Sequence, residues 1–170
     1  MKPRDFHGAE VDERAVLSIA LMDPEQIEQM DLRPDDFFDS QLGELWGIIL
    51  NRRALELPTE PTALIGDAKR IFGPKAAAVL GELVVEVPGT HHAKYYAGQV
   101  RKQSKLRELE VIASEINSMV AGGAKTPEEI SASVEHRISQ IGADKENYQS
   151  TAYEAGLELI ERLELSLIHI

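Results

Sequence analysis

The sequence predicts an all-α fold: a small globular bundle of about six short helices, then a long antiparallel helical hairpin, then a C-terminal linker helix. Three observations predict it. Leu, Ala, Glu, Ile and Arg, all good or tolerable helix formers, recur throughout. Aromatic residues make up only 5% of the chain, and runs that favour strands are scarce. Apolar residues return at steps of three and four, the helical period, and at 43% of 170 residues they suffice for a real core.

The elements follow in order. Residues 1–10 read as a loose arm. From about Asp12 to Met22, the residues Val16, Leu17, Ile19, Ala20 and Leu21 predict a buried helix. Asp23-Pro24-Glu25 restarts a helix, with Asp23 as its cap and Pro24 at its first position. Pro34 breaks it, and Asp35-Asp36-Phe37-Phe38 reads as a turn with two buried rings. The neighbouring carboxylates Asp35 and Asp36 suit capping better than acid–base work. Ser40 is the expected cap of a helix from Gln41 to about Leu55, with an apolar face of Leu42, Leu45, Trp46, Ile48 and Ile49. Pro58 and Pro61 mark a loop. Thr62 to Ile65 opens a helix that Gly73-Pro74 closes, and Pro74 to Val87 forms another, ended by Pro88-Gly89.

Thr90 is the expected cap of a much longer helix reaching about Val120. On it Leu106, Leu109, Ala113, Ile116 and Val120 fall at steps of 3, 4, 3 and 4, a seam for a partner helix. Gly122-Gly123 stops it. Thr126-Pro127-Glu128-Glu129 carries the start signal of the next helix, Thr at the cap and Glu three residues on. Ile130, Val134, Ile138 and Ile141 line one face of that helix. The tight glycine turn makes the pair an antiparallel hairpin. The expected organisation is therefore an arm at 1–10, a globular head at 11–90, a hairpin at 91–142, and a linker with its helix at 143–164. That last helix presents Tyr153, Leu157, Ile160 and Leu163 on one side. Residues 165–170 (Leu-Ser-Leu-Ile-His-Ile) resemble a translated sequencing adapter rather than natural coding sequence.

Composition excludes several functions. The formal net charge of −11 argues against a free-standing nucleic-acid binder. The one basic run, Lys94, Arg101, Lys102, Lys105 and Arg107, reads as a solvated helix face or as a site for DNA or an acidic partner. There is no Cys, which removes disulfides and thiolate zinc sites. The 12 glycines include no phosphate loop and no G-x-G-x-x-G. Of the five histidines, His7, His91, His92, His136 and His169, none follows a Glu at the i, i+3 spacing that helical di-iron sites use. No catalytic, cofactor or metal residue is expected. The lack of a signal-peptide core or a long apolar run predicts a soluble, cytoplasmic chain.

One segment carries a resemblance. Leu32-Arg33-Pro34-Asp35-Asp36-Phe37-Phe38-Asp39 resembles the Leu-x-Pro-Glu-Asp-Phe-Tyr stretch of bacterial replicative DNA helicases of the DnaB type. Its context agrees, with Glu13-x-Ala15-Val16-Leu17 and Asp23-Pro24 before it and the helix around Trp46 after it. Val87-Pro88, Lys94-Tyr95-Tyr96-Ala97 and Val100-Arg101 resemble the family's later Pro, Glu-Tyr-Tyr-Ala and Ile-Val-Arg stretch. Order and spacing match over about residues 12–110. Ser18 in place of Gly, Leu42 in place of His and Lys94 in place of Glu mark a divergent member.

The resemblance implies an N-terminal module that catalyses nothing itself. Heads would form a collar of a hexamer, and hairpins of neighbouring subunits would pair. Primase and a loader would dock on the collar. An ATPase domain with ATP and Mg would follow Glu164, and Tyr153, Leu157, Ile160 and Leu163 would dock on the ATPase domain of the adjacent subunit. The hairpin interface residues would be Leu106, Leu109, Ile116, Val120, Ile130, Val134 and Ile138. The residues alone also admit a stand-alone helical adaptor or regulator.

Overall fold

A computed structural model of the chain describes residues 7–85, 89–123, 126–139 and 141. All regular structure among them is helical. The elements are α1 (His7–Met22), α2 (Ile27–Met30), α3 (Ser40–Ala54), α4 (Pro61–Phe72), α5 (Ala76–Val85) and α6 (Ala93–Gly122), followed by α7 (127–139). Short 3-10 turns at Pro24–Gln26, Pro34–Asp36, Gly73–Lys75 and Thr90–His92 lead into or between them. The chain divides into two compact units, Met1–Leu106 and Arg107–Ile170. The linker helix and residues 165–170 lie outside the described residues.

The first unit is built round one core. Val16, Leu17, Ile19 and Ala20 of α1 meet Leu42, Leu45, Trp46 and Ile49 of α3, with Leu64 and Ala68 of α4 and Leu80 and Leu83 of α5. The start of α6 joins them through Ala93, Ala97 and Val100. α3, α4, α5 and the start of α6 each bury one stripe at the 3.6-residue period, which is how an amphipathic helix gains most of its stability, whereas α1 is buried all round from Ala15 to Leu21. α1 packs on α3 and α5, and α4 on α3 and α5.

Several caps differ from expectation. Asp23 makes no cap bond to the backbone; Pro24–Gln26 is a 3-10 turn, and Asp23 Oδ2 accepts from Gln26 Nε2 at 3.1 Å. Ser40 is already helical, and Asp39 caps α3 by accepting the N–H of Gln41 at 2.8 Å and of Leu42 at 3.3 Å. Thr90 opens a 3-10 turn instead of capping α6. At α3 two adjacent polar residues compete for one cap and Asp39 wins, whereas no side chain caps the turns at Pro24 and Thr90.

α3 and α4 are locked by Arg52. Its Nε and Nη2 donate to Asp67 Oδ2 at 3.0 and 2.8 Å, and its Nη1 donates to the carbonyl of Pro58 at 3.1 Å. One guanidinium fork thus fixes both the following loop and the next helix. Arg70 also bonds Asp67. The Arg52 hydrogen bond is the main reason the Asp67 carboxyl is held below its usual 3.8.

In the second unit, α6 ends at Gly122, and Gly123 turns the chain at φ 60°. The start of α7 realises the expected capping box. Glu129 N–H donates to Thr126 Oγ1 at 3.3 Å, and Thr126 N–H donates to a Glu129 carboxylate oxygen at 2.8 Å. Arg137 pairs with Glu115 at 3.3 Å, so α7 runs back along α6 as an antiparallel hairpin.

Candidate functional site

Among the described residues, the segment 30–39 is clamped from three separate helices. Three distant residues hold it. Glu13 of α1, 1% exposed, accepts the N–H of Phe38 at 2.5 Å and of Asp39 at 3.1 Å through its two oxygens. Trp46 of α3 donates its indole N–H to the carbonyl of Leu32 at 2.9 Å, and its ring packs on Phe37. Arg101 of α6 donates to the carbonyl of Met30 at 2.7 Å and to that of Asp31, and pairs with the Asp31 carboxylate at 3.3 Å. Asp31 is left-handed at φ 46°, ending α2 and exposing those carbonyls to the guanidinium. Locally, Asp36 accepts the N–H of Arg33 at 2.7 Å and so closes the 3-10 turn.

This arrangement is a scaffold. Of the two neighbouring carboxylates, Asp36 is spent on the backbone N–H of Arg33, whereas Asp35 is exposed. Only one of the two rings is buried: Phe37 enters the core, whereas Phe38 is 50% exposed, because its N–H is tied to Glu13 and its neighbour Asp39 must cap α3.

Sequence reasoning missed the glycines that let the segment seat. A Cβ on Gly43 would lie 2.5 Å from the carbonyl oxygen of Pro34, and one on Gly47 would lie 3.2 Å from Pro34 Cγ. The backbone of the 3-10 turn therefore rests directly on α3. The available signal was a glycine pair at i, i+4 inside an otherwise strong helix pattern, which calls for a packing reason.

The expected hairpin residues occupy varied positions. Leu106 is half-buried at the end of the first unit. In the second unit Ile116, Ile130 and Val134 are half-buried. Leu109, Val120 and Ile138 are 45%, 63% and 50% exposed, and Ala113 is exposed as well. Ile112, which the spacing argument left out, is buried. Tyr153, Leu157, Ile160 and Leu163 lie outside the described residues.

The basic run divides. Arg101 turns inward onto the 30–39 segment, while Lys94, Lys102 and Lys105 are exposed. His91 and His92 are exposed in the 3-10 turn before α6, their rings 4.0 Å apart. Among the described residues no three His, Asp or Glu converge as metal ligands would, and no helix is long and apolar enough to cross a membrane.

Comparison with known proteins agrees with this architecture. No curated protein matches the chain in sequence. Among solved structures, the chain is similar to the crystal structure of the N-terminal domain of DnaB helicase from Mycobacterium tuberculosis. The TM-score is 0.69 at 24% identity, over 82% of this chain and 99% of that one. That likeness establishes the all-α fold. The sequence model described as the DnaB-like helicase N terminal domain matches residues 9–102, more than half of the chain, and those residues include Glu13, Trp46 and Arg101, which clamp the 30–39 segment. The chain therefore belongs to the DnaB-like helicase N-terminal domain family.

Proposed function

We propose that this chain is the oligomerisation and partner-docking module of a replicative DNA helicase. One observation carries the reading: the head closes its own core, whereas the hairpin leaves Leu109, Ala113, Val120 and Ile138 uncovered. Apolar side chains at helical spacing gain little in a monomer and much against a second helix. Under this reading the hairpins of neighbouring copies pair through Leu106, Leu109, Ile116, Val120, Ile130, Val134 and Ile138. The heads form a collar of a hexameric ring that receives primase and a loader. Tyr153, Leu157, Ile160 and Leu163 dock on an ATPase domain.

ATP and Mg are not assigned to this chain. It has no phosphate loop. Duplex unwinding belongs, on this proposal, to an ATPase domain in cytoplasmic replication machinery.

Sedimentation tests the reading. The chain is expected to self-associate at micromolar concentration, and Leu109→Glu and Ile116→Glu are each expected to shift it to monomer with helicity retained, because a charge would be buried unpaired in the interface. A strict monomer at high concentration, or assembly indifferent to both substitutions, refutes hairpin pairing.

A further inference from the structure

The exposed lysines of α6 do not belong to the scaffold or to the hairpin seam. From Thr90 to Leu106 the sequence holds Lys94, Arg101, Lys102 and Lys105 and no acidic residue, in a chain of net charge −11. Arg101 is spent on the carbonyls of Met30 and Asp31. Among the described residues, Lys94, Lys102 and Lys105 enter no ion pair and all three are exposed. At about 100° and 1.5 Å per residue, they fall within one arc of roughly 80° and span about 16 Å along the helix.

Two neighbours make this arc more than a solvated face. Tyr95 sits at its edge, 60% exposed, its ring edge-on to Tyr96. Gly98 lies in the middle of the arc, exposed, and a Cβ there would meet nothing within 4 Å. Glycine is among the least favourable residues inside a helix. At Gly43 packing explains it; at Gly98 no contact does. The effect is a bare step of backbone flanked by Lys94, an open aromatic ring and Lys102.

We propose that this arc of α6 binds single-stranded nucleic acid, with Lys94, Lys102 and Lys105 along the phosphates and Tyr95 stacking a base over the step at Gly98. Lysines tracking a backbone beside an exposed aromatic are the pattern that sequence-tolerant strand binding uses. An acidic peptide would use the lysines but gives no role to Tyr95 or to a bare glycine. The proposal does not depend on hairpin pairing.

Fluorescence anisotropy of labelled oligothymidylate with the 170-residue chain at low salt tests it. Binding that weakens steeply with salt is expected. Lys102→Glu with Lys105→Glu is expected to weaken it by roughly tenfold or more, and Tyr95→Ala by at least about fivefold. The control is Lys69→Glu with Lys75→Glu, the same change in net charge at exposed lysines elsewhere, expected to have little effect. Circular dichroism confirms helicity, and the alanine pair Lys102→Ala with Lys105→Ala replaces the glutamates if they perturb the helix. Absence of binding, or equal losses in the site and control pairs, overturns the proposal. So does a polyglutamate peptide that binds as tightly and ignores Tyr95→Ala, which would reassign the arc to an acidic protein.

Discussion

The two units spend apolar surface in opposite ways. In Met1–Leu106, four helices and the start of α6 converge on fully buried Leu17, Trp46, Ile49, Leu64 and Leu83, and buried carboxylates such as Glu13 and Asp36 are bonded to backbone N–H groups. Among the described residues beyond Leu106, only Ile112 is a buried hydrophobic, while Leu109, Val111, Val120 and Ile138 stay exposed. The same residue types therefore have two consequences. In the head they yield stability that a single chain keeps on dilution. In the hairpin they yield stability only when another surface arrives, so it depends on concentration.

The largest expected effect sets the two units against each other. Trp46→Ala removes the biggest fully buried side chain and strands the Leu32 carbonyl. It should cost about 4 kcal/mol in urea denaturation of the dilute chain. Leu109→Ala, made under the same dilute conditions, should cost about 0.5 kcal/mol or less, as at other exposed positions. Comparable losses would mean that the hairpin is as self-contained as the head.

A single substitution at two glycines sharpens the contrast between packed and open backbone. Gly43→Ala drives a methyl into the Pro34 carbonyl oxygen, and forced shifts of this kind cost about 2 kcal/mol. Gly98→Ala meets nothing and should raise stability by roughly 0.5–1 kcal/mol through helix propensity. Thermal unfolding of both variants gives the two signs. A stabilised Gly43→Ala would show that the 3-10 turn does not rest on α3.

The outcome at these positions shows what the sequence makes legible. Periodicity with Pro and Gly signals located the helices of the head, although α1 begins at His7, inside the stretch expected as a loose arm, and the Thr126–Glu129 capping box formed as its spacing requires, because those signals lie within a few residues of one another. The clamps on residues 30–39 were not legible. Glu13, Trp46 and Arg101 reach them from 14 to 71 positions away, and nothing local announces such a bond. Phe38 read as core because its neighbour Phe37 is core; the carboxylate of Glu13 decides otherwise. For the hairpin, spacing identifies residues that share a face but carries no information about whether that face is covered, which is why Leu109 and Ile112 needed coordinates to tell apart.

Acid titration probes the ion pair that locks α3 to α4. Arg52 holds the Asp67 carboxyl below 3.8, so the stability it contributes is present above that value and is lost as pH falls through the lower folded-state value. Asp12 has the opposite sign: burial raises its carboxyl, so its contribution is present at low pH and is lost as pH rises. Between about pH 5 and pH 3 the parent chain should therefore lose more stability than Asp67→Asn, in which the Arg52 pair no longer titrates. Parallel pH profiles would show that the fork contributes through its Pro58 bond alone.

The smallest effect concerns a buried polar group that the head leaves unbonded. Ser18 lies on α1 at 1% exposure, and its Oγ has no hydrogen-bond partner. Five residues earlier on the same helix, Glu13 is equally buried but holds two backbone N–H groups. Burial alone therefore does not decide the sign of a truncation; satisfaction does. Removing a bonded partner strands its donors, whereas removing an orphan relieves a desolvation cost. Ser18→Ala also favours the helix and leaves the neighbouring packing nearly unchanged. It should raise stability by about 1 kcal/mol in denaturant titration, with self-association unaltered because the change lies inside the head. A loss of stability instead would mean that the hydroxyl finds a partner in solution, and that the head's core is more tightly bonded than its geometry shows.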